Sequence, residues 1–249
     1  MRTMISCLSF LLFCFAFIQE ADVKTDLQSI LEHQKEGATI YIPAGTYEGN
    51  FTITKDVTVI GNGKVVLKAK NPKEPVLTIT GAKNVSVQNV QIHTPGTGIM
   101  VKDSHHVQLS HLSMSSVESG VAIYQSRHIG IEKISVTGNE QHFANKGNGI
   151  AVYNSSDISV KNNKIDNVQD GIYIENVQGI SVVGNQVENS RYGTHFMYSK
   201  DAEAYENQFR KNVTGFMVMM TENVDFSNNA ISYQNGFNGT GITLYEVKN

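Results

Sequence analysis

Cysteine is nearly absent from this 249-residue sequence, whose two cysteines are Cys7 and Cys14. Both lie in an apolar run, Ile5 to Ile18, that follows Arg2. A positive residue followed by an apolar run shorter than a membrane span is typical of an export signal, so we predict that residues 1–21 form a signal peptide or a signal anchor. The remaining domain, residues 22–249, then has no thiol for a disulfide, a thiolate metal site or a nucleophile. Any soft metal site must use Met and His.

A basic excess is also missing, because 23 Asp and Glu residues outnumber 20 Lys and Arg residues and the net charge is −3. Nucleic-acid-binding domains carry a basic surface, so we predict no nucleic-acid partner. The sequence contains no GxxxxGK[ST] loop, the glycine-rich turn that cradles phosphates. The chain is therefore not expected to hydrolyse ATP itself.

Glycine recurs with a nearly fixed period. The spacings are 22, 29, 22, 22, 22 and 26 residues, between Gly98, Gly120, Gly149, Gly171, Gly193, Gly215 and Gly241. Each unit holds three short runs of alternating apolar and polar residues separated by turn-forming residues, and such a repeat indicates a solenoid of strands. We predict an all-β fold, a right-handed, pectate-lyase-like parallel β-helix with coils of about 22 residues stacked about 4.8 Å apart. The longest spacing predicts a protruding loop around the run NEQHFANKG.

One asparagine recurs at the third turn of the later units, as Asn163, Asn185, Asn207 and Asn229. The two preceding units have Leu112 and Ile134 at this place, so the column is expected to face inward. Side-chain amides both donate and accept hydrogen bonds, so stacked asparagines can bond along the column. The spacing therefore predicts an asparagine ladder inside the solenoid.

The two ends of the solenoid differ. Residues 25–36 follow a helical pattern, for which we predict a capping box of Thr25 and Gln28 and an end at Gly37. Such a helix can cover the apolar end and the unpaired strand edge of the first coil. At the other end the sequence stops at Asn249, just after the first strand of a coil, so we expect an incomplete last coil and a truncated C-terminus.

The first strand of each unit places two side chains on an outer face. Alternation puts the residues one and three after each glycine inside the coil, and those two and four after it outside. His195 then stacks on Met217, and Met197 on Met219, about 4.8 Å apart. Imidazole and thioether groups suit copper, above all Cu(I). The candidate copper ligands are His195, Met197, Met217, Met219 and, at the adjacent turn, Met220.

The same face has a second interpretation. Its other members are Tyr124, Tyr153, Tyr173, Glu175 and Tyr245, with Tyr198 at the turn. A surface rich in Met and Tyr is typical of an adaptable protein-docking site. The residues alone leave metal binding and partner docking open.

Paired catalytic carboxylates are scarce on this face. Long parallel β-helices commonly act on polysaccharides, and glycoside hydrolysis needs two carboxylates about 5 to 9.5 Å apart. Glu175 is alone among aromatic and Met residues, and Asp170 lies beside Gly171 in a turn without a partner Asp. The GHG and RIK motifs of polygalacturonases are absent. We predict that the chain is not an enzyme. The alternatives are non-catalytic carbohydrate binding, through Tyr124, Tyr153 and Tyr173, and, less favoured, a polysaccharide-acting enzyme.

Three stretches, RYGTHFMYS, NQFRKNVTGFMVMMTENVDFSNN and GTGITLYEV, resemble the NosD family. Its members are exported β-helix proteins that assist maturation of the copper enzyme nitrous oxide reductase, within the wider carbohydrate-binding and sugar-hydrolysis class of β-helices. The similarity is specific over residues 171–249. The residues that match the family's motif positions are His195, Met197, Tyr198, Met217, Met219 and Met220.

This resemblance implies a non-enzymatic accessory protein in the periplasm or on the extracytoplasmic side of the cytoplasmic membrane. It would work with an ABC-type ATPase and permease to supply copper or sulfur to the reductase, and would contact the membrane only through its signal segment or the transporter. The sequence departs from the family's pattern by ending early.

Overall fold

The computed structural model describes residues 26–236 and 238–248. The predicted signal segment, with Cys7 and Cys14, and the predicted cap residue Thr25 lie outside these described residues. Within them, no helix is both long enough and apolar enough to cross a membrane.

The described chain is built almost entirely of strands. It has one α-helix, α1 (Leu27–His33), and a short 3-10 helix, Phe143–Asn145. The strands in chain order are β1 Ala38–Glu48, β2 Phe51–Ile53, β3 Val57–Lys68, β4 Leu77–Thr80, β5 Lys83–Gln88, β6 Gln91–His93, β7 Thr97–Lys102, β8 His105–Ser110, β9 Ser113–Val117, β10 Ser119–Tyr124, β11 Arg127–Glu132, β12 Ser135–Gly138, β13 Ile150–Lys161, β14 Lys164–Asp166, β15 Asp170–Val183, β16 Gln186–Glu188, β17 Tyr192–Met197, β18 Lys200–Tyr205, β19 Gln208–Arg210, β20 Thr214–Met219, β21 Glu222–Ser227, β22 Ala230–Ser232 and β23 Thr240–Tyr245.

These strands form about nine stacked coils, which confirms the predicted parallel β-helix. Each strand pairs in parallel with its copy on the next coil; Ile172 of β15, for example, pairs with Thr194 of β17, and Thr194 with Phe216 of β20. Between β12 and β13 the predicted loop carries the 3-10 helix. Val121 still pairs with Ile150 across this insertion, so the loop leaves the register of the stack unchanged.

Most of the repeated glycines occur where successive coils approach closely. A Cβ atom added to Gly171 would lie 2.6 Å from the carbonyl oxygen of Gly193, and one added to Gly193 would lie 2.6 Å from that of Gly215. Both distances are shorter than any van der Waals contact, so a side chain there would push the coils apart. The period read from the sequence is therefore a packing requirement.

Apolar side chains fill the interior, and in the C-terminal coils they include three buried phenylalanines, Phe196, Phe209 and Phe216. Ile99, Val121, Ile150 and Ile172 occupy one fully buried column, which continues through Thr194 to Phe216. The ring of Phe216 packs edge-on against Phe209, with centroids 4.7 Å apart and planes at 77°. Aromatic packing of this kind adds to the area buried.

The asparagine ladder forms as predicted. Asn185 Nδ2 donates to Asn207 Oδ1 (3.1 Å) and to the carbonyl oxygen of Val160 (2.9 Å). Its own Oδ1 accepts from Asn163 Nδ2 (2.9 Å) and from the backbone N–H of Asn163 (3.0 Å). Asn207 extends the ladder to Asn229. Asn163, Asn185 and Asn207 are fully buried and Asn229 is half-buried, and each satisfies backbone groups that the turn leaves unpaired.

Helix α1 covers the start of the solenoid, but the predicted cap was wrong. The N-cap is Asp26, whose Oδ1 accepts from the backbone N–H of Gln28 (3.1 Å), and the helix ends at His33, before Gly37. The Gln28 side chain instead bonds the backbone of β2: Nε2 donates to Thr52 O (3.2 Å) and Oε1 accepts from Thr52 N (2.8 Å). One amide thereby satisfies part of an edge that no other strand among the described residues pairs, and Gln28 is not available for a capping box.

Removing one rung of the ladder should be costly. Asn185→Ala leaves the donors of Asn163 and the carbonyl oxygen of Val160 buried without hydrogen-bond partners. We therefore expect the free energy of unfolding to fall by about 3 kcal/mol. Urea denaturation measures this, with the exposed Lys164→Ala on β14 as a control that should change it by less than about 0.5 kcal/mol. A loss for Asn185→Ala no larger than that of the control would contradict the role of the ladder.

A buried hydroxyl in the core offers the opposite test. Thr194 is fully buried, and its Oγ1 has no hydrogen-bond partner among the described residues. Thr194→Val keeps the shape and removes the unsatisfied group, so we expect a gain of about 1 kcal/mol in the same assay. Thr214→Val is the matched control, because Thr214 Oγ1 lies 3.1 Å from Thr240 Oγ1 and should lose stability. A destabilised Thr194→Val protein would show that this hydroxyl has a partner.

Candidate functional site

Two columns of outward side chains run along the face formed by the first strand of each coil. We call them the Tyr124 column and the His195 column. Strand register places Tyr124, Tyr153, Glu175, Met197, Met219 and Tyr245 in the Tyr124 column. The His195 column contains Ala122, Ala151, Tyr173, His195, Met217 and Thr243.

The predicted pairing of His195 with Met217 and of Met197 with Met219 is confirmed by the register of β17 and β20. Tyr173, however, does not continue the row of Tyr124 and Tyr153. The rings of Tyr124 and Tyr153 stack at 4.9 Å, nearly parallel, whereas Tyr173 is tilted by 45° against Tyr153 from the neighbouring column. The tyrosine face is thus two adjoining rows.

The prediction that the side chain of His195 is exposed on the outer face was wrong. His195 is 6% exposed. The rings of Tyr173 and Tyr192 both meet its imidazole edge to face, at centroid distances of 5.1 and 5.0 Å and interplanar angles of 83° and 84°. Alternation gives the correct direction for the side chain, but large neighbours on the same face then cover it. Met197, Met217 and Met219 remain half-buried.

A buried carboxylate holds one side of the imidazole. Asp170 is fully buried and accepts two hydrogen bonds from Arg191, Nε to Oδ1 at 2.8 Å and Nη2 to Oδ2 at 2.7 Å. His195 Nδ1 lies 3.1 Å from the same Oδ2. This bidentate pairing with Asp170 raises the pKa of the Arg191 guanidinium, which also lies 4.5 Å over the ring of Tyr192. Charge compensation by Arg191 is what permits a carboxylate in this interior.

This arrangement sets the tautomer of His195. An ionised carboxylate can only accept, so Nδ1 carries the hydrogen and Nε2 of the neutral ring is left with its lone pair. Nε2 is buried and has no hydrogen-bond partner in the part of the chain that the structure describes. A buried, oriented and unused nitrogen is the strongest chemical feature of this face.

Tyr173 links the imidazole to the thioethers. Its hydroxyl lies 2.8 Å from Glu175 Oε2 and 3.3 Å from Met197 Sδ. Burial, followed by the hydrogen bond to Glu175, raises the pKa of Tyr173, so the hydroxyl stays protonated. Glu175 is therefore engaged, and the sulfur of Met197 is held against the tyrosine.

Met220 and Tyr198 lie apart from the two columns. Both have left-handed backbone conformations, with φ of 47° and 49°, at the corner that follows the first strand. Their side chains line a groove around that corner, together with Lys200 and Ser199. The structure thus brings together His195, Met197, Met217 and Met219, and separates Met220 from them.

Sequence reasoning missed the Asp170 network. It treated Asp170 as an acid without a partner because it looked for a second carboxylate. The useful signal was the position of Asp170 in the repeat. Asp170 directly precedes Gly171 and pairs in register with Tyr192, which directly precedes Gly193. Arg191 and His195, on the two sides of Tyr192, therefore lie one coil away from Asp170. Within the described residues, no three His, Cys, Asp or Glu side chains form a group that could hold a metal ion. A metal on this face would depend on thioether donors.

Neutralising Asp170 tests the network. Asp170→Asn keeps the shape but leaves Arg191, whose side chain is 31% exposed, without its carboxylate. We expect a loss of about 2 kcal/mol in urea denaturation, because an unpaired buried charge is costly and partial exposure moderates the cost. Nitrogen-15 NMR should show His195 as the Nδ1–H tautomer in the wild type and a mixture in the variant. The exposed Asp201→Asn is the control; equal stability of both variants would argue against the network.

Solved structures share the fold at low sequence identity. An alginate lyase from Paenibacillus sp. str. FPU-7 is 16% identical, with a TM-score of 0.56 over 90% of this chain and 96% of that one. A polygalacturonase from Erwinia carotovora ssp. carotovora is 13% identical, with a TM-score of 0.59 over 89% and 88%. The GH136 lacto-N-biosidase from Eubacterium ramulus is 11% identical, with a TM-score of 0.65 over 78% and 50%. Similarity at this level shows the fold alone. No curated protein matches the chain.

The family comparison concerns the part of the chain that carries the site. Residues 132–249 match the model of the family described as "Periplasmic copper-binding protein (NosD)". This span contains the Asp170 network and both columns from β13 onward. The match confirms the resemblance carried by the His195 and Met217 strands, and residues 132–249 of this parallel β-helix are similar to the NosD family.

Proposed function

We propose that this protein is an exported, non-enzymatic accessory protein that binds copper as cargo between the His195 and Tyr124 columns. The observation that carries the proposal is the buried Nε2 of His195, left without a partner among the described residues and one coil from Met217. The match of residues 132–249 to a family described as periplasmic and copper-binding supports both the cargo and the location.

The donor set suits Cu(I). His195 Nε2 and the thioethers of Met217 and Met197 would hold the ion, with Met219 next in the column. Imidazole and thioether are donors that favour copper over calcium, magnesium or zinc. Methionine has three rotatable bonds and a polarizable sulfur, so its sulfur can adapt to an ion that the rigid imidazole positions.

Asp170 supports the same assignment. Metal-bound histidines usually donate their second N–H to a carboxylate, which fixes the ring and strengthens the free nitrogen as a ligand. His195 has this arrangement with Asp170 at 3.1 Å. Because Tyr173 and Tyr192 cover the ring, loading and release of copper would require one of their side chains or Met217 to move.

Catalysis is not part of the proposal. The acids of this face are both committed, Asp170 to Arg191 and Glu175 to Tyr173. Glycoside hydrolysis requires one carboxyl group as acid and a second as base or nucleophile. We therefore propose a carrier, and the tyrosines that extend the Tyr124 column toward β10 would serve as its docking surface.

The partners follow from the resemblance. We propose that the protein works with the ATPase and permease of an ABC transporter in maturing the copper and sulfur centre of nitrous oxide reductase. The transporter would supply the energy, and this chain would hold the cargo outside the membrane.

Copper binding can be tested without disturbing the fold. The double variant Met197→Leu/Met217→Leu conserves side-chain volume and removes two thioethers. We expect its affinity for Cu(I), measured by competition with a chromophoric chelator, to fall at least about tenfold. Met100→Leu is the matched control, because Met100 pairs with Ala122 and thus occupies the His195 column four coils earlier, away from any imidazole of that column.

Two results would overturn the copper assignment. One is an unchanged affinity in the double variant; the other is an equal loss in Met100→Leu. The double variant Tyr124→Ser/Tyr153→Ser tests the docking surface. If it still binds copper but no longer co-purifies with the permease, those tyrosines are assigned to docking. Retention of both copper and permease in that tyrosine variant would remove the docking surface.

A further inference from the structure

Two tyrosine rings cover the imidazole of His195. Tyr173 and Tyr192 meet it edge to face, at centroid distances of 5.1 and 5.0 Å and at nearly the same angle. His195 is left 6% exposed, and its Nε2 is buried. An ion can reach this nitrogen only after a cover moves, and the two tyrosines are held in very different ways.

Tyr173 is anchored through its hydroxyl. The hydroxyl donates to Glu175 Oε2 (2.8 Å) and lies 3.3 Å from Met197 Sδ. A hydrogen bond to a carboxylate is roughly twice as strong as one between neutral groups. The ring of Tyr173 also packs against Tyr153, with centroids 5.5 Å apart. Movement of Tyr173 would break these contacts and displace a thioether that we propose as a copper ligand.

Tyr192 has no such anchor. Its side chain is half-buried, and its hydroxyl makes no hydrogen bond to any described residue. The ring packs on His195 and lies 4.5 Å from the guanidinium carbon of Arg191. Edge-to-face packing and a partly exposed cation–π contact are each weaker than a hydrogen bond to a carboxylate. Rotation of Tyr192 therefore costs less than rotation of Tyr173.

The main chain around Tyr192 is fixed on both sides. The N–H of Arg191 donates to the carbonyl oxygen of Gln169 (2.7 Å), and the carbonyl oxygen of Arg191 accepts from the N–H of Thr214 (2.9 Å). Tyr192 itself pairs in register with Asp170 on one neighbouring coil and with Thr214 on the other. Opening is therefore the rotation of one side chain, and no segment of the chain has to unfold.

The groups that orient His195 stay in place during such a rotation. Asp170 Oδ2 lies 3.1 Å from His195 Nδ1, and Asp170 is held by two hydrogen bonds from Arg191. None of these contacts involves Tyr192. Arg191, fixed by Asp170, also presents a constant surface to which the ring of Tyr192 returns. The imidazole thus keeps its orientation whether the cover is open or closed.

We propose that Tyr192 is the gating residue of the copper site. Its ring covers His195 at rest and rotates outward to admit or release Cu(I), while Tyr173 remains as the fixed opposite wall. Met217 does not serve as the gate, because a ligand that moves settles on the ion. The proposal rests on the copper function proposed for this face, and it adds the step that controls the rate of exchange.

Access to Nε2 can be measured in the metal-free protein. Diethyl pyrocarbonate acylates unprotonated imidazole nitrogens, and mass spectrometry of peptides gives the rate at His195 relative to the exposed His111. Tyr192→Ala should raise this relative rate at least about tenfold, because it removes the movable cover. Tyr192→Phe and Tyr173→Phe should stay within about twofold of the wild type, because the first keeps the ring and the second loosens a wall that does not move.

The control for loss of a ring is Tyr205→Ala. Tyr205 is a half-buried tyrosine on β18, on the face of the second strand, and its removal should leave the rate at His195 unchanged. An unchanged rate in Tyr192→Ala would overturn the gate. So would a rate in Tyr173→Phe as high as that in Tyr192→Ala, which would assign the movement to Tyr173. Thermal unfolding monitored by circular dichroism checks that the variants fold.

Copper exchange distinguishes a gate from a ligand. A gate changes the barrier between the free and the loaded protein, so uptake and release of Cu(I), followed by stopped-flow with a chromophoric chelator, should both be at least about tenfold faster in Tyr192→Ala. The Kd should change by less than about threefold. A tenfold weaker Kd with an unchanged rate of uptake would make Tyr192 part of the binding site and overturn the gate. The acylation result needs no metal, so failure of the gate and failure of the copper assignment are separate results.

Discussion

Parallel pairing of each strand with its copy one coil away is the interaction on which the rest of this molecule depends. It fixes a spacing of about 4.8 Å along the axis and assigns every residue to a column. The column then determines which residue type fits. Glycines occupy positions where backbones meet, apolar residues fill the interior, and His195 lies next to Met217 on the outer face. A functional group here gains its neighbours from residues 22 or so positions away, and two residues adjacent in sequence face opposite sides.

Burial of charge is the second theme, and it concerns the C-terminal coils. Asp170 is sealed from solvent, yet its carboxylate is fully bonded by Arg191 and His195. Such a pair adds little net stability over apolar residues of equal volume. What it provides is orientation, since the imidazole has one tautomer and one direction. A flexible surface histidine would lack both, and the thioethers around it supply the adaptability instead.

The sequence allowed the period, the parallel stacking, the asparagine ladder and the His195–Met217 register to be predicted, because all follow from a repeat of 22 residues. It did not allow burial on the outer face to be predicted. Alternation says that His195 points outward, whereas the rings of Tyr173 and Tyr192 decide whether it meets solvent. The Asp170 network and the groove also depend on residues whose separation in sequence is close to one coil but differs from it by a few positions. A search for known motifs does not test such combinations. At the helix, the competing demand of an unpaired edge redirected Gln28.

The asparagine ladder has a consequence for how the coils find their alignment. It begins at Asn163, where earlier coils have Leu112 and Ile134, so the polar spine is confined to the coils that carry the Asp170 network. A slip of two residues in an apolar solenoid exchanges one inward aliphatic side chain for another and is only weakly penalised. In the laddered coils the same slip would move an amide out of its bonds and an apolar residue into a site lined by carbonyl groups. The ladder thus fixes the register of the coils during folding. It thereby ensures that a histidine and a methionine from different coils lie side by side.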